Sequence, residues 1–299
     1  MVDLIDFDPP QPAGARLPTA RIEDFLSSYP LPREIGSGWH TLDPYYAKAL
    51  LALLYDASAE TGALKQLFAT RILHKLPHLG HALDIGSGKG RLLEIFRNFE
   101  RITLVERDAA SLIDLRQALG DLQIPAQILE RDYDQIPIER LTSDLTAFTH
   151  SIYYFHEDWG RLARRAFSSL RPGGSLVFTL NGDEGAAALM VDDLSRLGIP
   201  GLTKLDIAGF VAACAEIEEA EVSVYRLPCK IHPQRQPEFM VHMARIFLED
   251  LCVPIPTAIV RSYLLAKNHH LGFVDKVIEI KKRPGAPPGR DQGWDQVTI

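Results

Sequence analysis

The sequence predicts an α/β protein built on a doubly wound, mostly parallel β-sheet. From residue 81 onwards, short apolar runs alternate with amphipathic stretches, a pattern typical of parallel strands with helices on both faces. The chain has 299 residues, of which 46% are hydrophobic and 24% charged, as in ordinary globular proteins. This length allows one large α/β domain, or a core domain with an attached cap.

The segments that flank the alternating region differ from it in composition. Residues 1–20 and 284–299 are rich in Pro, Gly and Asp with little periodicity, which predicts an N-terminal arm and a C-terminal tail outside the core. Residues 21–78 are predicted to form an N-terminal helical cap. Within them, residues 41–76 carry apolar residues at helical spacing up to Pro77, which indicates two helices before the first strand.

The sheet itself is predicted within residues 79–232 and 272–283. The strands of the first range are indicated by six apolar runs: HALDI, RITLVE, AQILER, DLTAFTH, SLVFTL and EVSVYRL. Residues 233–271 have helical character and are predicted to be an insertion that caps the substrate. The last strand, DKVIEIKK, follows this insertion.

Charge and hydropathy disfavour several classes of partner. The formal net charge is −7, with 32 Lys and Arg residues against 39 Asp and Glu residues, so a nucleic-acid backbone would be repelled on average. The N-terminus has no apolar signal region, and no stretch is long enough to cross a bilayer. Three widely spaced cysteines fit a reducing compartment. We therefore expect a cytoplasmic protein with no nucleic-acid or membrane partner, and the sequence carries no signal for its oligomeric state.

The most informative segment is LDIGSGKG at 83–90, where a predicted strand runs through a glycine turn into a predicted helix. Three glycines let the backbone turn tightly and approach a ligand, namely Gly86, Gly88 and Gly90. A mononucleotide P-loop is excluded because Lys89 is followed by glycine. The dinucleotide fingerprint G-x-G-x-x-G is incomplete because Arg91 occupies its last position. The remaining pattern is G-x-G-x-G preceded by an acidic residue, Asp84.

The charge of Asp84 distinguishes between two ligands for this turn. S-adenosylmethionine carries an ammonium, a sulfonium and one carboxylate, whereas nicotinamide dinucleotides carry an anionic pyrophosphate. Asp84 would attract the first and repel the second. Two alternatives stay open at this point: Asp84 as a cap of the turn or of the following helix, and a nucleotide-dependent oxidoreductase.

Two further acidic residues follow the next two predicted strands. Glu106 ends one strand, where a carboxylate can accept hydrogen bonds from both ribose hydroxyls. Asp132 follows the other, where a carboxylate can bind the adenine amino group and the neighbouring Tyr133 can stack on the ring. Three successive strand ends thus carry an acidic residue, which favours one shared ligand.

The segments LDIGSGKG, LVER and ERDY resemble the first three motifs of the class I S-adenosylmethionine-dependent methyltransferases, over about residues 80–182. The resemblance implies a Rossmann-like, seven-stranded sheet that ends in an antiparallel pair, with S-adenosylmethionine as cofactor. Asp84 and the three glycines would hold the methionine part. Glu106 would bind the ribose, and Asp132 with Tyr133 the adenine. The implied cofactor-binding residues also include Ser87, Arg107 and His150.

The methyl acceptor is expected beyond the fourth core strand, because ligands of open parallel sheets bind at the carboxyl ends of the strands. This strand end lacks the Asn/Asp-Pro-Pro-Tyr/Phe motif common in family members that methylate nucleobase or protein amides. The metal-dependent catechol type has an acidic residue where this chain has His150, so no bound metal is expected. A weaker, architectural similarity to the histamine N-methyltransferase type favours a small-molecule acceptor, methylated on N, O, S or C.

Positioning of the acceptor in line with the sulfonium is expected to provide most of the rate. A protonated acceptor would also need a base, and His150 is the candidate because it ends the strand and has an ordinary pKa near ~6.5. The alternative is that His150 orders the loop through hydrogen bonds to the backbone. Tyr153 and Tyr154 would shape the pocket, one facing the acceptor and the other packing inward, with His156 as a distant reserve base.

The two capping segments carry aromatic and polar side chains that could cover a pocket, although aromatic residues mostly serve cores. They are Tyr29, Trp39, Tyr45, Tyr46, His232, Phe239, His242 and Tyr263. Ligand binding is expected to order both segments. A non-catalytic cofactor-binding partner subunit stays open as an alternative, because intact cofactor residues do not prove turnover.

Overall fold

The computed structural model describes residues 2–7, 18–29, 44–137, 141–155, 158–196, 206–231, 236–249, 257–267 and 271–285. Eight strands in these ranges form one sheet in the order β1-β7-β8-β6-β5-β2-β3-β4. They are β1 (Val2–Asp6), β2 (His81–Ile85), β3 (Arg101–Val105), β4 (Gln127–Leu129), β5 (Ser143–Thr149), β6 (Leu170–Asn181), β7 (Ala220–Ile231) and β8 (Leu271–Lys282). Neighbouring strands are parallel except where β8 pairs with β6 and β7.

The α-helices of the described residues cover both faces of this sheet. They are α1 (Thr19–Ser28), α2 (Pro44–Ala57), α3 (Glu60–Leu67), α4 (Ala109–Leu122), α5 (Trp159–Ser168), α6 (Gly185–Arg196), α7 (Ile207–Ala215), α8 (Pro237–Glu249) and α9 (Thr257–Ala266). Within the described ranges, no helix has the length and apolar character that a membrane crossing requires.

Alternate residues along the strands divide the core into two layers. In β6, Val177 packs with α2, α3, α6 and α8 on one face, whereas Leu176 and Phe178 pack with α5 and α7 on the other. The division arises because successive side chains of a strand point to opposite faces of the sheet. The prediction of a doubly wound, mostly parallel α/β sheet is therefore confirmed.

The eighth strand is a difference from the seven strands expected. Residues 1–20 were predicted to be an arm outside the core, but Val2–Asp6 pairs in parallel with β7, and Phe7 is buried. Leu4 is 68% exposed, as is typical of an edge strand, and Arg226 forms an ion pair with Asp6. Five residues of mixed polarity are too few for a periodic pattern to distinguish a strand from an arm.

The segment after the glycine turn also differs from expectation. It forms one 3₁₀ turn, Leu93–Phe96, instead of a regular helix. Leu92, Leu93, Ile95, Phe96 and Phe99 are all buried. Burial on several sides favours an irregular segment over an amphipathic helix, which buries a single stripe.

The N-terminal helices and the insertion pack against each other. The ring of Phe25 in α1 lies 6.4 Å from the ring of Phe239 and 5.0 Å from that of His242, both in α8. Phe247 of α8 in turn lies 5.1 Å from Phe273 of β8. These contacts fix both segments in the core layer on one face of the sheet.

Candidate functional site

A cavity of about 960 Å³ opens at the carboxyl ends of β2, β3, β4 and β5. The glycine turn after β2 forms its floor, and Glu106 and Asp132 line it at the ends of β3 and β4. His150 and Tyr154 line it after β5, and Tyr55 of α2 lines it from the cap. The structure thus brings together the three acidic strand ends and the strand-end histidine expected from the sequence.

The backbone conformation favours glycine at three points of the turn. The φ angles of Gly86, Gly88 and Gly90 are +70°, +54° and +80°, in the left-handed region that other residues rarely adopt. A Cβ on Gly86 would lie 2.4 Å from the Cβ of Ser151. Ser151 Oγ donates a 2.6 Å hydrogen bond to the carbonyl of Ile85, which holds the loop after β5 against the turn.

Four backbone amides of the turn donate hydrogen bonds within the protein. Gly86 N–H and Ser87 N–H donate to the carbonyl of Val105, at 2.8 and 3.2 Å, and Gly90 N–H donates to Ser87 O at 3.0 Å. Gly88 N–H donates to Glu106 Oε2 at 2.8 Å. A pyrophosphate needs free amides and a helix N-terminus, and the 3₁₀ turn supplies no such terminus. This arrangement disfavours a dinucleotide ligand.

Asp84 lies in β2 with its carboxyl group in the wall of the cavity. It is 6% exposed, and this burial, with the nearby Glu106 charge, raises its pKa to about 7. Its Oδ atoms are not the acceptors of the turn amides, and Ser87 Oγ donates instead to the Asp84 backbone carbonyl at 3.0 Å. The side chain of Ser87 also interacts with the Asp84 carboxylate and lowers its pKa, so Asp84 supports the turn and presents a negative charge that is suited to binding a cation.

Glu106 and Asp132 occupy different environments in the same wall. Glu106 Oε1 accepts from Arg107 N–H and Asp108 N–H at 2.9 and 2.8 Å, whereas Oε2 accepts only from Gly88. A ribose hydroxyl can therefore still donate to Oε2. Asp132 forms a 2.8 Å ion pair with Arg107 at the surface, where such pairs are weak and easily exchanged.

Tyr133 is buried more deeply than adenine stacking requires. Its side chain is 2% exposed, and the Arg165 guanidinium lies 4.4 Å from its ring centroid. The rings of Phe148 and Phe155 meet it edge-on at 5.6 and 6.1 Å. The residue nevertheless lines the cavity beside Asp132, so its stacking on adenine stays a prediction.

The two tyrosines after β5 face different surroundings. Tyr153 is partly buried, and its hydroxyl accepts a hydrogen bond from Asn181 N–H. Tyr154 is 55% exposed and lines the cavity. Tyr154 is thus placed to meet an acceptor, whereas Tyr153 supports the loop.

His150 belongs to a buried charge cluster that the sequence analysis did not find. The cluster consists of Glu60, Arg91, His150 and Asp275. Glu60 Oε1 lies 2.9 Å from both Arg91 Nη2 and His150 Nε2. The Arg91 guanidinium stacks 3.6 Å from the ring centroid of Tyr55.

The charges of this cluster determine the protonation of His150. Burial opposes its positive charge, but Glu60 and Asp275 raise its pKa to about 9. Burial also opposes ionisation of Glu60, but Arg91 and His150 lower its pKa below the usual value. Burial and Glu60 raise the pKa of Asp275. His150 is therefore protonated at neutral pH in this state, which does not favour the predicted role of general base.

Little in the sequence pattern indicates a functional role for Glu60, Arg91 or Asp275, the other three residues of the cluster. Glu60 begins α3 and is indistinguishable by pattern from an ordinary first-turn acid. Arg91 was noted only as a mismatch to the dinucleotide fingerprint. Asp275 offers the best signal, because it alternates with buried Phe273 and Val277 in β8, a position where a charge is costly.

The aromatic and polar side chains that were predicted to cover the pocket lie in different environments. Phe239 and His242 are fully buried, and Tyr263 OH donates to Asp193 at 3.0 Å. Tyr29 packs on Phe25, with ring centroids 5.3 Å apart. Trp39, His156, His232 and the side chains of Tyr45 and Tyr46 lie outside the described residues. The described residues of the insertion do not line the cavity, so they support α2 from behind.

Replacing Gly86 with alanine is expected to destabilise the fold by about 1–3 kcal/mol, because of the contact with Ser151 and the positive φ. The matched control is Gly120→Ala in α4, where an added Cβ would meet no atom within 4 Å. Helix propensity predicts that this control is neutral or stabilising by up to about 1 kcal/mol. Urea unfolding of both variants tests the prediction, and equal stabilities would contradict it.

A family model described as "Methyltransferase domain" matches residues 83–178. No curated protein matches the chain. The YcgJ protein from Bacillus subtilis is a similar solved structure, with 14% identity, a TM-score of 0.48, and coverage of 74% of this chain and 99% of that one.

Two other similar solved structures are of proteins named as methyltransferases. A putative sarcosine dimethylglycine methyltransferase from Galdieria sulphuraria has 14% identity and a TM-score of 0.48, over 75% of this chain and 88% of that one. Geranyl diphosphate C-methyltransferase from Streptomyces coelicolor A3(2) has 15% identity and a TM-score of 0.44, over 85% and 89%. The family match covers the glycine turn and the acidic strand ends. Residues 83–178 therefore form a methyltransferase domain, with S-adenosylmethionine as its cofactor.

Proposed function

We propose that this protein methylates a small-molecule acceptor, held beside S-adenosylmethionine in the cavity. The observation that carries this proposal is the extent of the cavity, which continues past the cofactor residues to Tyr154 and to Ala52 and Tyr55 of α2. Its volume, about 960 Å³, lies at the upper end of the range of roughly 300–1,000 Å³ for ligand pockets. A cavity of this size has space for a second ligand.

The donor set of the cavity fits the cofactor group by group. Asp84 offers a buried carboxylate to the ammonium, beside Gly88, where an added Cβ would meet no protein atom within 4 Å. Glu106 Oε2 can accept from a ribose hydroxyl, and Asp132 lies where the adenine amino group is expected. When bound, S-adenosylmethionine supplies an electrophilic methyl group on a positively charged sulfur.

The chain's own contribution is to orient the two ligands and exclude water. Arg91 stacks on Tyr55 and so supports this part of the cavity wall, and Tyr154 also lines the cavity. Holding two reactants in line can contribute about 7–11 kcal/mol to catalysis. Glu60 and Asp275 raise the pKa of His150 and so favour its protonated form, and for this reason we do not assign it the role of general base. The acceptor then has to present a free lone pair when it binds.

A labelling experiment tests this function. The protein is incubated with S-adenosylmethionine carrying an isotopically labelled methyl group and with an extract of small metabolites. We expect labelled small molecules, identified by mass spectrometry, together with stoichiometric S-adenosylhomocysteine. Calorimetric binding of NADH without binding of S-adenosylhomocysteine would overturn the proposal. Tight binding of S-adenosylhomocysteine with no label transfer would instead identify a non-catalytic partner subunit.

Tyr154→Ala is expected to raise the KM for the acceptor about tenfold or more, because a large aromatic contact of the pocket is lost. The affinity for S-adenosylhomocysteine should change less than twofold. Leu189→Ala is the control, because Leu189 is 56% exposed, as Tyr154 is 55%, but lies outside the cavity lining. An unchanged acceptor KM in the Tyr154 variant would show that the acceptor binds elsewhere.

A further inference from the structure

The buried charge cluster contains polar groups that the described residues do not satisfy. Asp275 has no exposed surface, and its Oδ1 has no hydrogen-bond partner among the described residues. Its Oδ2 lies 3.6 Å from His150 Nε2, outside normal hydrogen-bonding distance. That oxygen forms an ion pair with His150 and accepts a weak hydrogen bond from Cys229 Sγ at 3.9 Å. Leaving Oδ1 as a buried acceptor without a partner costs free energy. The surroundings of Asp275 therefore indicate a missing ligand.

Three side chains of the cluster present ligand atoms at the spacing of a metal centre. One atom each from Glu60, His150 and Asp275 lies within 4.8 Å of the other two. Ligand atoms at about 2.0–2.2 Å from one ion are about 3–3.5 Å apart. The Glu60–His150 and His150–Asp275 distances, 2.9 and 3.6 Å, bracket this separation. Small shifts of Glu60 and Asp275 would complete the geometry.

The backbone places these three residues together from three distant elements. Glu60 begins α3, His150 follows β5 and Asp275 lies in β8. His150 adopts a φ of +51°, in the left-handed region that residues other than glycine seldom adopt. His150 also lines the cavity, beside the part assigned to the acceptor. We propose that Glu60, His150 and Asp275 bind one divalent transition-metal ion in the wall of the acceptor pocket.

The donor set selects the kind of ion. One imidazole and two carboxylates suit Mn²⁺, Fe²⁺, Co²⁺ or Zn²⁺, whereas Mg²⁺ prefers oxygen ligands and retains several waters. Three protein ligands leave positions for an exogenous ligand. This differs from the sequence expectation of no bound metal, which considered only His150 at its strand end. The two carboxylates come from elements that the strand-end motif does not include.

The charge of Arg91 determines the net charge of the metal-bound site and hence the kind of acceptor that it would prefer. This step rests on the proposed function. The two carboxylates and Arg91 together carry one negative charge, so a divalent ion bound with neutral His150 leaves one positive charge. An anionic oxygen of the acceptor would neutralise this charge. A metal ion acting as a Lewis acid also favours the deprotonated form of a bound hydroxyl. The acceptor class would therefore be a molecule with an acidic hydroxyl or a carboxylate beside the methylated atom.

Titration with metal ions alone tests the site. The full chain is stripped with a chelator and titrated separately with CoCl₂, MnCl₂, ZnCl₂ and MgCl₂ by calorimetry, and Co²⁺ is also followed by visible absorption. We expect one equivalent of transition metal to bind, Mg²⁺ to bind at least tenfold more weakly, and a reversible rise in Tm. Asp275→Asn and Glu60→Gln should weaken binding at least tenfold. Asp114→Asn, an exposed acid paired with Lys89 at the cavity rim, should bind as the parent does.

Two outcomes would overturn the metal site. The first is that the stripped parent binds S-adenosylhomocysteine but binds none of the ions at one equivalent. The four charged side chains would then satisfy one another without a metal ion. The second is a folded Asp275→Asn variant with the affinity of the parent. If the variants do not fold, the test of the metal site depends on the parent protein alone. The stoichiometry of binding, the Co²⁺ spectrum and the change in Tm of the parent then show whether the site exists. Binding of S-adenosylhomocysteine to the stripped protein is measured separately, so failure of the proposed function is distinguished from failure of the metal site.

Discussion

Replacing Asp84 with asparagine is expected to weaken binding of S-adenosylhomocysteine about tenfold to a hundredfold. The variant loses the charge of a buried carboxylate, and hydrogen bonds to charged groups contribute about 1.5–3 kcal/mol. The same binding should depend on pH in the parent. The pKa of Asp84 is raised to about 7, so affinity for the ammonium should fall roughly tenfold between pH 8 and pH 6. Calorimetry at both pH values measures the change.

The ionisation of Asp84 determines whether the affinity for the ligand rises or falls with pH. Glu106 raises its pKa and Arg91 lowers it, while burial makes the largest contribution. A cationic ligand binds the ionised form, so affinity is lost as the pH falls through about 7. Asp84→Asn should show no such dependence. A parent and variant with parallel pH profiles would show that another group is responsible.

The stability of the Asp84→Asn variant shows whether weaker cofactor binding comes from damage to the fold. A carboxyl group with a raised folded-state pKa contributes stability below its unfolded pKa, near 3.8, and this stability is lost as the pH rises through about 7. At pH 8 the folded protein therefore carries the full cost of the buried charge, on the order of a few kcal/mol. Asp84→Asn should unfold at a higher urea concentration than the parent at pH 8. Weaker cofactor binding in a more stable protein would exclude damage to the fold.

The core of the fold was predictable because its strands are local, periodic features. HALDI, RITLVE and SLVFTL correspond to buried strands, and the turns between them carry clear breakers. The edge strand β1 was missed because a single exposed strand is stabilised by pairing with β7, which lies more than two hundred residues away. Local pattern carries no information about such a partner.

The cofactor side of the site could be predicted better than the acceptor side for a related reason. Each strand in a parallel sheet delivers its next residue to the same edge, so Asp84, Glu106 and Asp132 had to meet. The acceptor side depends on Glu60 and Asp275, which come from α3 and from the last strand. Their approach to His150 is set by tertiary packing. The pKa of His150 therefore could not be inferred from its position in the sequence.

Replacing Glu60 with glutamine is expected to destabilise the protein by about 3–5 kcal/mol, because it leaves two buried cationic groups with one remaining carboxylate. Glu60 is 1% exposed and pairs with both Arg91 and His150 at 2.9 Å. Arg91 follows directly after the glycine turn, so the turn should loosen as well. Urea unfolding measures the stability, and hydrogen exchange measures opening of residues 86–91.

The matched control is Glu94→Gln. Glu94 also forms an ion pair, with Lys65, but its side chain is 48% exposed and that of Lys65 is 35% exposed. Exposed pairs contribute about 0–1 kcal/mol, because water already solvates both charges. The two variants make the same chemical change, so the difference between them isolates burial. If both cost less than about 1 kcal/mol, the charges of Arg91 and His150 must be satisfied without Glu60. The cluster would then not be the connection between α3 and the glycine turn that the structure indicates.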